Sequence, residues 1–204
     1  MKEKALVIVA HPDDETIWMG GTITTLKDID WTIFSLCRKN DPDRSPKFKK
    51  VCNNYNAQSI ISDLEDEDIM NIKESLPEIE KRIIKEIGKK NFTYIFTHGY
   101  NGEYGHLRHK GVHLAVKNLI KNKIIKCGQL FFFAYKLNSQ KTIINQNKEL
   151  ADFKIKLSYN ALKRKKNIIK KLYGFSQKSF ENKSCLAKET FSLYENSNFS
   201  RTSK

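Results

Sequence analysis

The 204-residue sequence contains little glycine, proline or cysteine. Nine Gly and four Pro are too few for a collagen-like or low-complexity chain. The four cysteines are too far apart to form a C-x-x-C pair, which argues against both a thiolate zinc site and a disulfide framework. No apolar run reaches the length of a membrane span or of a signal-peptide core. From these absences we expect a cytoplasmic protein without a membrane-spanning segment.

Negative charge is scarce as well, since 37 Lys and Arg against 23 Asp and Glu give a net charge of +14. A basic surface attracts nucleic acid, acidic lipid or anionic ligands. The basic residues, however, are spread from Lys81 onward and are densest at 163–166, and no nucleic-acid-binding motif is recognisable. The pattern favours scattered, solvated lysines, so we expect no nucleic-acid partner.

Apolar runs alternate with segments of helical periodicity along the chain. The predicted strands are 5–10, 31–37, 59–62, 92–97 and 129–135, and the predicted helices are 13–26, 47–57, 77–90, 106–122 and 158–173. This alternation predicts a Rossmann-like three-layer α/β sandwich with a mainly parallel central sheet and a site at the carboxyl ends of the strands. We expect residues 1–194 to form a single domain and 195–204 to be a polar, flexible tail.

Two polar segments follow predicted strands. The first is His11-Pro12-Asp13-Asp14-Glu15, directly after the first strand, and the second is 98–109, HGYNGEYGHLRH, directly after the fourth. The second segment holds three of the five histidines of the chain. Because the carboxyl ends of parallel strands lie at one edge of a sheet, we expect the two segments to meet there.

The residue types in these segments suit a hydrolytic metal site. A catalytic zinc takes three His or carboxylate ligands and leaves one position for water. His106 and His109 share a helix face at a spacing of three residues, and the side chains of the neighbours Asp13 and Asp14 must diverge. One aspartate can then bind the metal while the other takes a proton from the water.

Each of these features also has an ordinary structural interpretation. Paired aspartates before a helix usually cap it, and a single buried histidine is more often a hydrogen-bonded core residue than a ligand. The occurrence of both segments after predicted strands favours the metal site over these alternatives. The sequence leaves open the roles of His98, where loop support is favoured, and of His113, where packing is favoured.

The two segments resemble a known family. AHPDDE at 10–15, followed by Gly20-Gly21, and THGYNGEYGHLRH at 97–109 are similar to the two motifs of the LmbE-like (PIG-L) N-acetylglucosaminyl deacetylases. Their order, strand context and separation of about ninety residues agree with that family. The resemblance implies a zinc-dependent hydrolase that removes the acetyl group from an N-acetylglucosamine-type sugar or its conjugate and releases acetate and a free amine.

The resemblance also implies roles for individual residues. His11, Asp14 and His109 match the positions that bind Zn²⁺, with Fe²⁺ or another divalent metal as an alternative ion. Asp13 matches the general base, and Glu15 is expected to be structural.

Two further positions of the second segment have catalytic counterparts in that family. His106 matches a histidine that stabilises the tetrahedral intermediate and protonates the leaving amine. Tyr104 matches a mobile tyrosine that polarises the amide carbonyl in some members.

The sequence departs from the family where substrate is expected to bind. Leu107-Arg108 replaces the usual pair between the histidines, and the loop after the second strand, 37–44, has no matching Glu. Arg44 is the candidate for the substrate-binding arginine, and Arg38 competes with it. The identity of the amide is therefore open.

Two alternatives remain beside the sugar deacetylase. One is an amidase or deacylase that acts on a non-sugar or thiol-conjugate amide with the same metal chemistry. The other is a basic, non-catalytic binding module. The expected partner is a small N-acetylated sugar or conjugate, and the oligomeric state stays open, a homo-oligomer included.

Overall fold

A computed structural model describes residues 2–67, 69–88, 90–146 and 149–195. The strands are β1 (Glu3–Val9), β2 (Ile29–Cys37), β3 (Gln58–Leu64), β4 (Asn91–Thr97), β5 (Lys126–Phe133), β6 (Tyr135–Leu137), β7 (Ile143–Asn145), β8 (Phe153–Lys156) and β9 (Lys188–Leu193). The helices are α1 (Asp14–Thr25), α2 (Arg44–Asn54), α3 (Ile72–Ile87), α4 (Gly102–Gly105), α5 (Leu107–Lys121), α6 (Tyr159–Asn167) and α7 (Phe180–Ser184), and a π-helical turn, Ile168–Leu172, continues α6. The single domain stays a prediction, and 196–204 of the predicted tail lie outside the described residues.

Seven strands form one sheet in the order β3-β2-β1-β4-β5-β9-β8. The first five are parallel to one another, and β9 runs antiparallel to both β5 and β8. Chain order reverses between β1 and β4, and sheets of this kind open a ligand-binding crevice at such a reversal. The predicted α/β sandwich with a mainly parallel sheet is confirmed.

The central strand shows why the sheet is covered on both faces. From Ala5 to Ala10 the chain is fully buried. Val7 and Val9 pack into one apolar cluster with α1 and α2, and Leu6 and Ile8 pack into a second cluster with α3 and α5. Alternate residues of a strand point to opposite faces, so a continuous apolar run fills two cores.

Two helices begin earlier than predicted. The side chain of Asn71 accepts from the backbone of Glu74, and Glu74 in turn accepts from the backbone of Asn71, so α3 starts at Ile72. The predicted start of this helix at residue 77 was wrong, because the capping box that begins the helix lies before the proline. α2 starts at Arg44 rather than residue 47, since the Asp41 carboxylate accepts from the backbone of Arg44.

The carboxyl-terminal part departs most from the prediction. The predicted strand 129–135 divides at Ala134, and Tyr135 begins a separate two-stranded sheet of β6 and β7. Strands β7, β8 and β9 and helix α7 were not predicted from the sequence. Short, half-exposed strands have little hydrophobic periodicity from which to predict them. No helix within the described ranges is long and apolar enough to cross a membrane.

A buried ion pair ties this part of the chain to α1. Helix α1 is interrupted at Met19, where φ is −147°. The Glu189 carboxylate of β9 accepts from the backbone N–H groups of Gly21 and Thr22 at 2.9 and 2.6 Å. Lys165 of α6 lies 2.7 Å from the same carboxylate, and both side chains are fully buried. Glu189 thus caps the second half of α1.

Candidate metal centre

Both polar segments lie at the carboxyl ends of the two neighbouring strands where chain order reverses. β1 and β4 are paired in register with Ile8 opposite Thr97, so the residues that follow them start at the same level of the sheet. The backbone N–H of Ala10 donates to Nε2 of His98 at 3.0 Å, which joins the two segments directly. The predicted meeting of the segments is therefore observed.

Three side-chain atoms form a nearly equilateral triangle. His11 Nδ1 lies 3.2 Å from Asp14 Oδ2 and 3.2 Å from His109 Nε2, and His109 Nε2 lies 3.3 Å from Asp14 Oδ2. Ligand atoms of a tetrahedral ion with bonds of about 2.0–2.1 Å are about 3.3 Å apart. The triangle therefore has the dimensions of one face of a tetrahedral zinc site, and its donor set fits this ion.

Two further carboxylates hold the imidazole rings of this triangle. Asp66 Oδ1 lies 2.7 Å from His11 Nε2, and Glu103 Oε2 lies 2.6 Å from His109 Nδ1. A carboxylate on the outer nitrogen of a metal-binding histidine orients the ring and sets its tautomer. In each ring the outer nitrogen is then the donor, and the nitrogen inside the triangle keeps its lone pair.

The electrostatics of the triangle favour positive charge. Burial alone would lower the pKa of His11, but its contacts with Asp14 and Asp66 raise that pKa to about 9. Burial opposes the charged form of His109 too, but Asp14 and Glu103 raise its pKa to about 10. A site with this surplus of carboxylates binds either protons or a metal cation.

His98 is held in a supporting position. Its Nδ1 lies 2.8 Å from Glu103 Oε2, and its Nε2 accepts the N–H of Ala10. Because that acceptor interaction uses the lone pair of Nε2, His98 has no free nitrogen for a metal, although it lies 3.6 Å from Asp14 Oδ2. Burial, followed by the charge of His109, lowers the pKa of His98 and keeps the ring neutral. His113 in turn bonds the carbonyl oxygen of His98 at 3.0 Å.

Asp13 is adjacent to the triangle and is not one of its corners. Its backbone has a φ of 112°, a strained value for a residue with a side chain. Glu15 holds this conformation by accepting the backbone N–H of Asp13 at 3.1 Å, and Arg44 Nη1 lies 3.2 Å from Asp13 Oδ2. Burial and the neighbouring Asp14 raise the pKa of Asp13 well above its usual range. Such a carboxylate is a stronger base than an exposed aspartate.

His106 carries its proton on Nε2, as His11 does, and differs in tautomer from His109. It caps α5, and its Nδ1 accepts the backbone N–H of Arg108 at 3.2 Å. A neutral ring with Nδ1 as acceptor carries its proton on Nε2. Burial, with the charges of His109 and His11, lowers the pKa of His106 to about 4. The ring therefore acts as a hydrogen-bond donor at neutral pH.

A cavity of about 430 Å³ opens over this centre. Tyr104 lines it and packs edge-on against Phe180, with ring centroids 5.2 Å apart. Its lining residues are His11, Pro12, Asp13, Asp14, Ile17, Trp18, Arg38, Asp41, Arg44, Asp66, Tyr104, His106, Phe180 and Glu181. The structure thus gathers in one cavity every predicted site residue except His109, which lies buried beneath it.

Both candidate substrate arginines line the cavity, and both are engaged by carboxylates. Arg38 Nη2 lies 2.6 Å from Asp66 Oδ2. Arg44 contacts Asp13, and its guanidinium carbon lies 4.5 Å from the centroid of the Phe175 ring. Their roles toward substrate stay predictions.

Sequence reasoning missed Asp66 and Glu103. Asp66 belongs to an acidic stretch of sequence, 63–68, at the end of β3. Its position after a strand of the same parallel sheet was the signal that it reaches the same edge. Glu103 lies between the histidines of the second segment, and a carboxylate among candidate ligands is a candidate partner for their outer nitrogens.

Comparison with known proteins bears on both segments. The family model described as PIG-L, GlcNAc-PI de-N-acetylase, matches residues 6–120, which is more than half of the chain and includes both segments. The chain belongs to the PIG-L family. An uncharacterized protein of Acanthamoeba polyphaga mimivirus is 27% identical over 129 residues. That match covers 54% of this chain and 55% of the relative, so the chain spans about half the length of this curated relative.

Solved structures share the fold of this PIG-L family chain. GalB, the 4-carboxy-2-hydroxymuconate hydratase of Pseudomonas putida, has a TM-score of 0.65 at 13% identity, over 99% of this chain and 98% of that one. The N,N′-diacetylchitobiose deacetylase of Pyrococcus horikoshii has a TM-score of 0.63 at 13% identity, over 95% and 84%. The fold is thus common to a hydratase and a deacetylase, and only the site can indicate which chemistry applies.

Proposed function

We propose that this chain is a metal-dependent hydrolase that removes the acetyl group from the amide nitrogen of an N-acetylglucosamine-type sugar or its conjugate. The observation that carries the proposal is the ligand triangle of His11, Asp14 and His109 with the non-ligand carboxyl of Asp13 beside it. Membership of the PIG-L family supports an acetyl amide as the scissile group.

Zn²⁺ is the ion that the donor set fits best, with His11 Nδ1, Asp14 Oδ2 and His109 Nε2 as its ligands. When bound, such an ion polarises a carbonyl group and lowers the pKa of coordinated water. Fe²⁺ and other divalent ions are accepted by the same nitrogen and oxygen donors, so metal supply decides which one is present.

Asp13 is the general base in this proposal. Its carboxylate takes a proton from the water molecule whose oxygen forms the new bond to the acetyl carbon. Its raised pKa makes it an effective acceptor, and Arg44, whose charge lowers the same pKa, keeps the deprotonated form available. The strained backbone held by Glu15 keeps the carboxyl turned away from the ligand triangle.

His106 and Tyr104 act on the carbonyl oxygen. The Nε2–H of His106 donates a hydrogen bond to that oxygen as negative charge develops, and the Tyr104 ring lies edge-on to His106 with centroids 5.6 Å apart. With a pKa of about 4, His106 carries no second proton at neutral pH. The leaving nitrogen therefore takes the proton that Asp13 received as the C–N bond breaks, which gives acetate and a free amine.

The cavity suits a polyol. Arg38 and Arg44 each share their guanidinium with a carboxylate, so the wall alternates hydrogen-bond donors and acceptors. Sugar hydroxyls both donate and accept, and they match such a wall better than a purely anionic or apolar group does. The cytoplasmic location expected from the sequence belongs to this proposal, and cell fractionation tests it.

The test is metal analysis of the purified chain joined to an acetate-release screen. The screen compares free N-acetylglucosamine, its glycoside conjugates and non-sugar acetamides. We expect about one divalent ion per chain and acetate from the sugar substrates. Release only from non-sugar amides would favour the amidase alternative, and a chain with neither metal nor turnover would support the binding module and overturn the proposal.

A further inference from the structure

The basic residues of the carboxyl-terminal part are concentrated in one stretch of the chain. Residues 153–180 contain nine Lys and Arg and no Asp or Glu. Helix α3, which packs on the other face of the sheet, carries four basic and four acidic residues and has no net charge. Helix α5 on that same face carries four basic residues and no acidic ones, so positive charge lies on both faces of the sheet. Among the described helices it is densest on α6 and the π-helical turn, which hold six Lys and Arg in fourteen residues.

Five of these cations form one surface, which we name the basic face. It consists of Lys163, Arg164, Lys166, Lys170 and Lys171, all exposed or half-buried on α6 and the π-helical turn. Grooves of about 390 and 270 Å³ flank the helix, one toward Asn54 at the end of α2 and one toward Asn182 of α7. Lys163 lines both grooves, so the face is continuous across the helix.

The charges of the basic face are not neutralised within the part of the chain that the structure describes. The cations that do pair with carboxylates lie elsewhere, as in Arg108 with Glu65 and Lys165 with Glu189. Arg164 donates to the carbonyl oxygen of Asn54, which is a neutral partner. Unpaired cations on one helix produce a local positive potential that reaches about a Debye length, roughly 8 Å at physiological salt.

An aromatic side chain borders the basic face. Tyr159 at the start of α6 is 76% exposed, and Lys163 Nζ lies 5.9 Å from its ring centroid. Aromatic rings next to lysines are typical of protein surfaces that sit at the level of lipid headgroups.

We propose that the basic face docks on the surface of an anionic lipid bilayer. Clusters of four to eight Lys and Arg on a helix recognise acidic headgroups through their summed charge, without a shaped pocket. Lysine predominates here, and the one arginine already donates to Asn54, so the face offers point charges rather than the rigid guanidinium forks suited to base edges. Attraction to nucleic-acid phosphates is separated from lipid binding by the competition below. The inner leaflet of a plasma membrane carries such headgroups and faces the cytoplasm.

The test measures binding of the full chain to vesicles by co-sedimentation. Vesicles of phosphatidylcholine alone are compared with vesicles that contain about one third phosphatidylserine, at low and at high salt. We expect binding to the anionic vesicles only and release at high salt. Neutralising Lys163, Lys166 and Lys170 together to Gln is expected to weaken that binding on the order of 100-fold, since each lysine near an acidic surface contributes about a factor of five.

A matched variant controls for the change in net charge. Changing Lys73, Lys81 and Lys85, which are exposed on α3, to Gln lowers the charge by the same three units and is expected to leave binding within a few-fold. Equal losses in both variants, binding to neutral vesicles, or displacement of the protein from vesicles by equimolar duplex DNA would overturn the proposal. Thermal unfolding and metal content of both variants identify any loss that comes from misfolding.

Discussion

The residues up to the end of α5 and those that follow use charge in different ways. In the first part, acidic and imidazole groups converge: Asp14 alone accepts from the backbone of His11 and from Trp18 Nε1 and lies within 3.3 Å of His109. In the second part, one charge pair, Lys165 with Glu189, is buried, and the other described cations are exposed or half-buried, five of them on the basic face. The first arrangement is the one proposed to hold a metal cation, and the second supports the fold.

The two parts of the chain contribute to the candidate metal centre in different ways. The second part reaches it mainly through α1: Glu189 caps the second half of that helix, and Tyr173 donates to Glu15 at 2.8 Å. Phe180 and Glu181 add one wall of the cavity. We therefore expect substitutions in the first part to change metal content or turnover, and substitutions in the second to change the free energy of unfolding.

The largest effect is expected from His109→Gln. The change removes one corner of the ligand triangle, so metal content should fall close to zero and acetate release should become undetectable. His113→Gln is the matched control, because His113 lies one turn further along α5 and bonds the carbonyl of His98. Metal analysis of both variants is decisive, and a fully loaded His109→Gln protein would contradict the ligand assignment.

Next comes the comparison of Asp13→Asn with Asp14→Asn, the same chemical change at neighbouring positions. Asp13→Asn should keep the metal and lower kcat by about 10²–10⁴-fold, because base catalysis is removed and coordination is not. Asp14→Asn should lose metal together with activity. Equal metal loss in both variants would remove the distinction between ligand and base.

Lys165→Met acts on the second part of the chain. It leaves the buried Glu189 carboxylate without its cation, and the expected cost is about 3–5 kcal/mol of unfolding free energy. Lys163→Met on the exposed side of the same helix changes net charge equally and should be nearly neutral. Denaturant unfolding measures both values. If folded Lys165→Met protein failed to bind metal, the expectation that substitutions in the second part change only the free energy of unfolding would be contradicted.

The smallest effect is expected from Tyr173→Phe. Glu15 loses one hydrogen-bond donor but still has Thr16 and the backbone N–H of Asp13. The cost should be about 1–3 kcal/mol in unfolding free energy, with kcat reduced only a few-fold. Tyr159→Phe, at an exposed ring, serves as the reference. A loss of activity as large as that of Asp13→Asn would assign Tyr173 a direct part in positioning the base.

The two parts also differ in how many of their strands and helices could be predicted from the sequence. Strand β1 was predictable because a run of six consecutive apolar residues is typical of a strand in a parallel sheet that is buried on both faces. β8, β9 and α7 were not, because their burial depends on partners far along the chain. The capping box at Asn71 and Glu74 is present in the sequence, and it marks the start of α3 more accurately than the proline that follows it.

By itself, the sequence determined the order of the first five strands along the chain and the two polar segments that follow β1 and β4. Local patterns suffice for these features, since burial periodicity and motif spacing are properties of neighbouring residues. Only the tertiary structure decided that Asp66 and Glu103 hold the rings of His11 and His109, and that Glu189 with Lys165 supports α1. Contacts such as these join residues that are remote in sequence, or separated by a tight turn, and depend on how the sheet and its helices pack together.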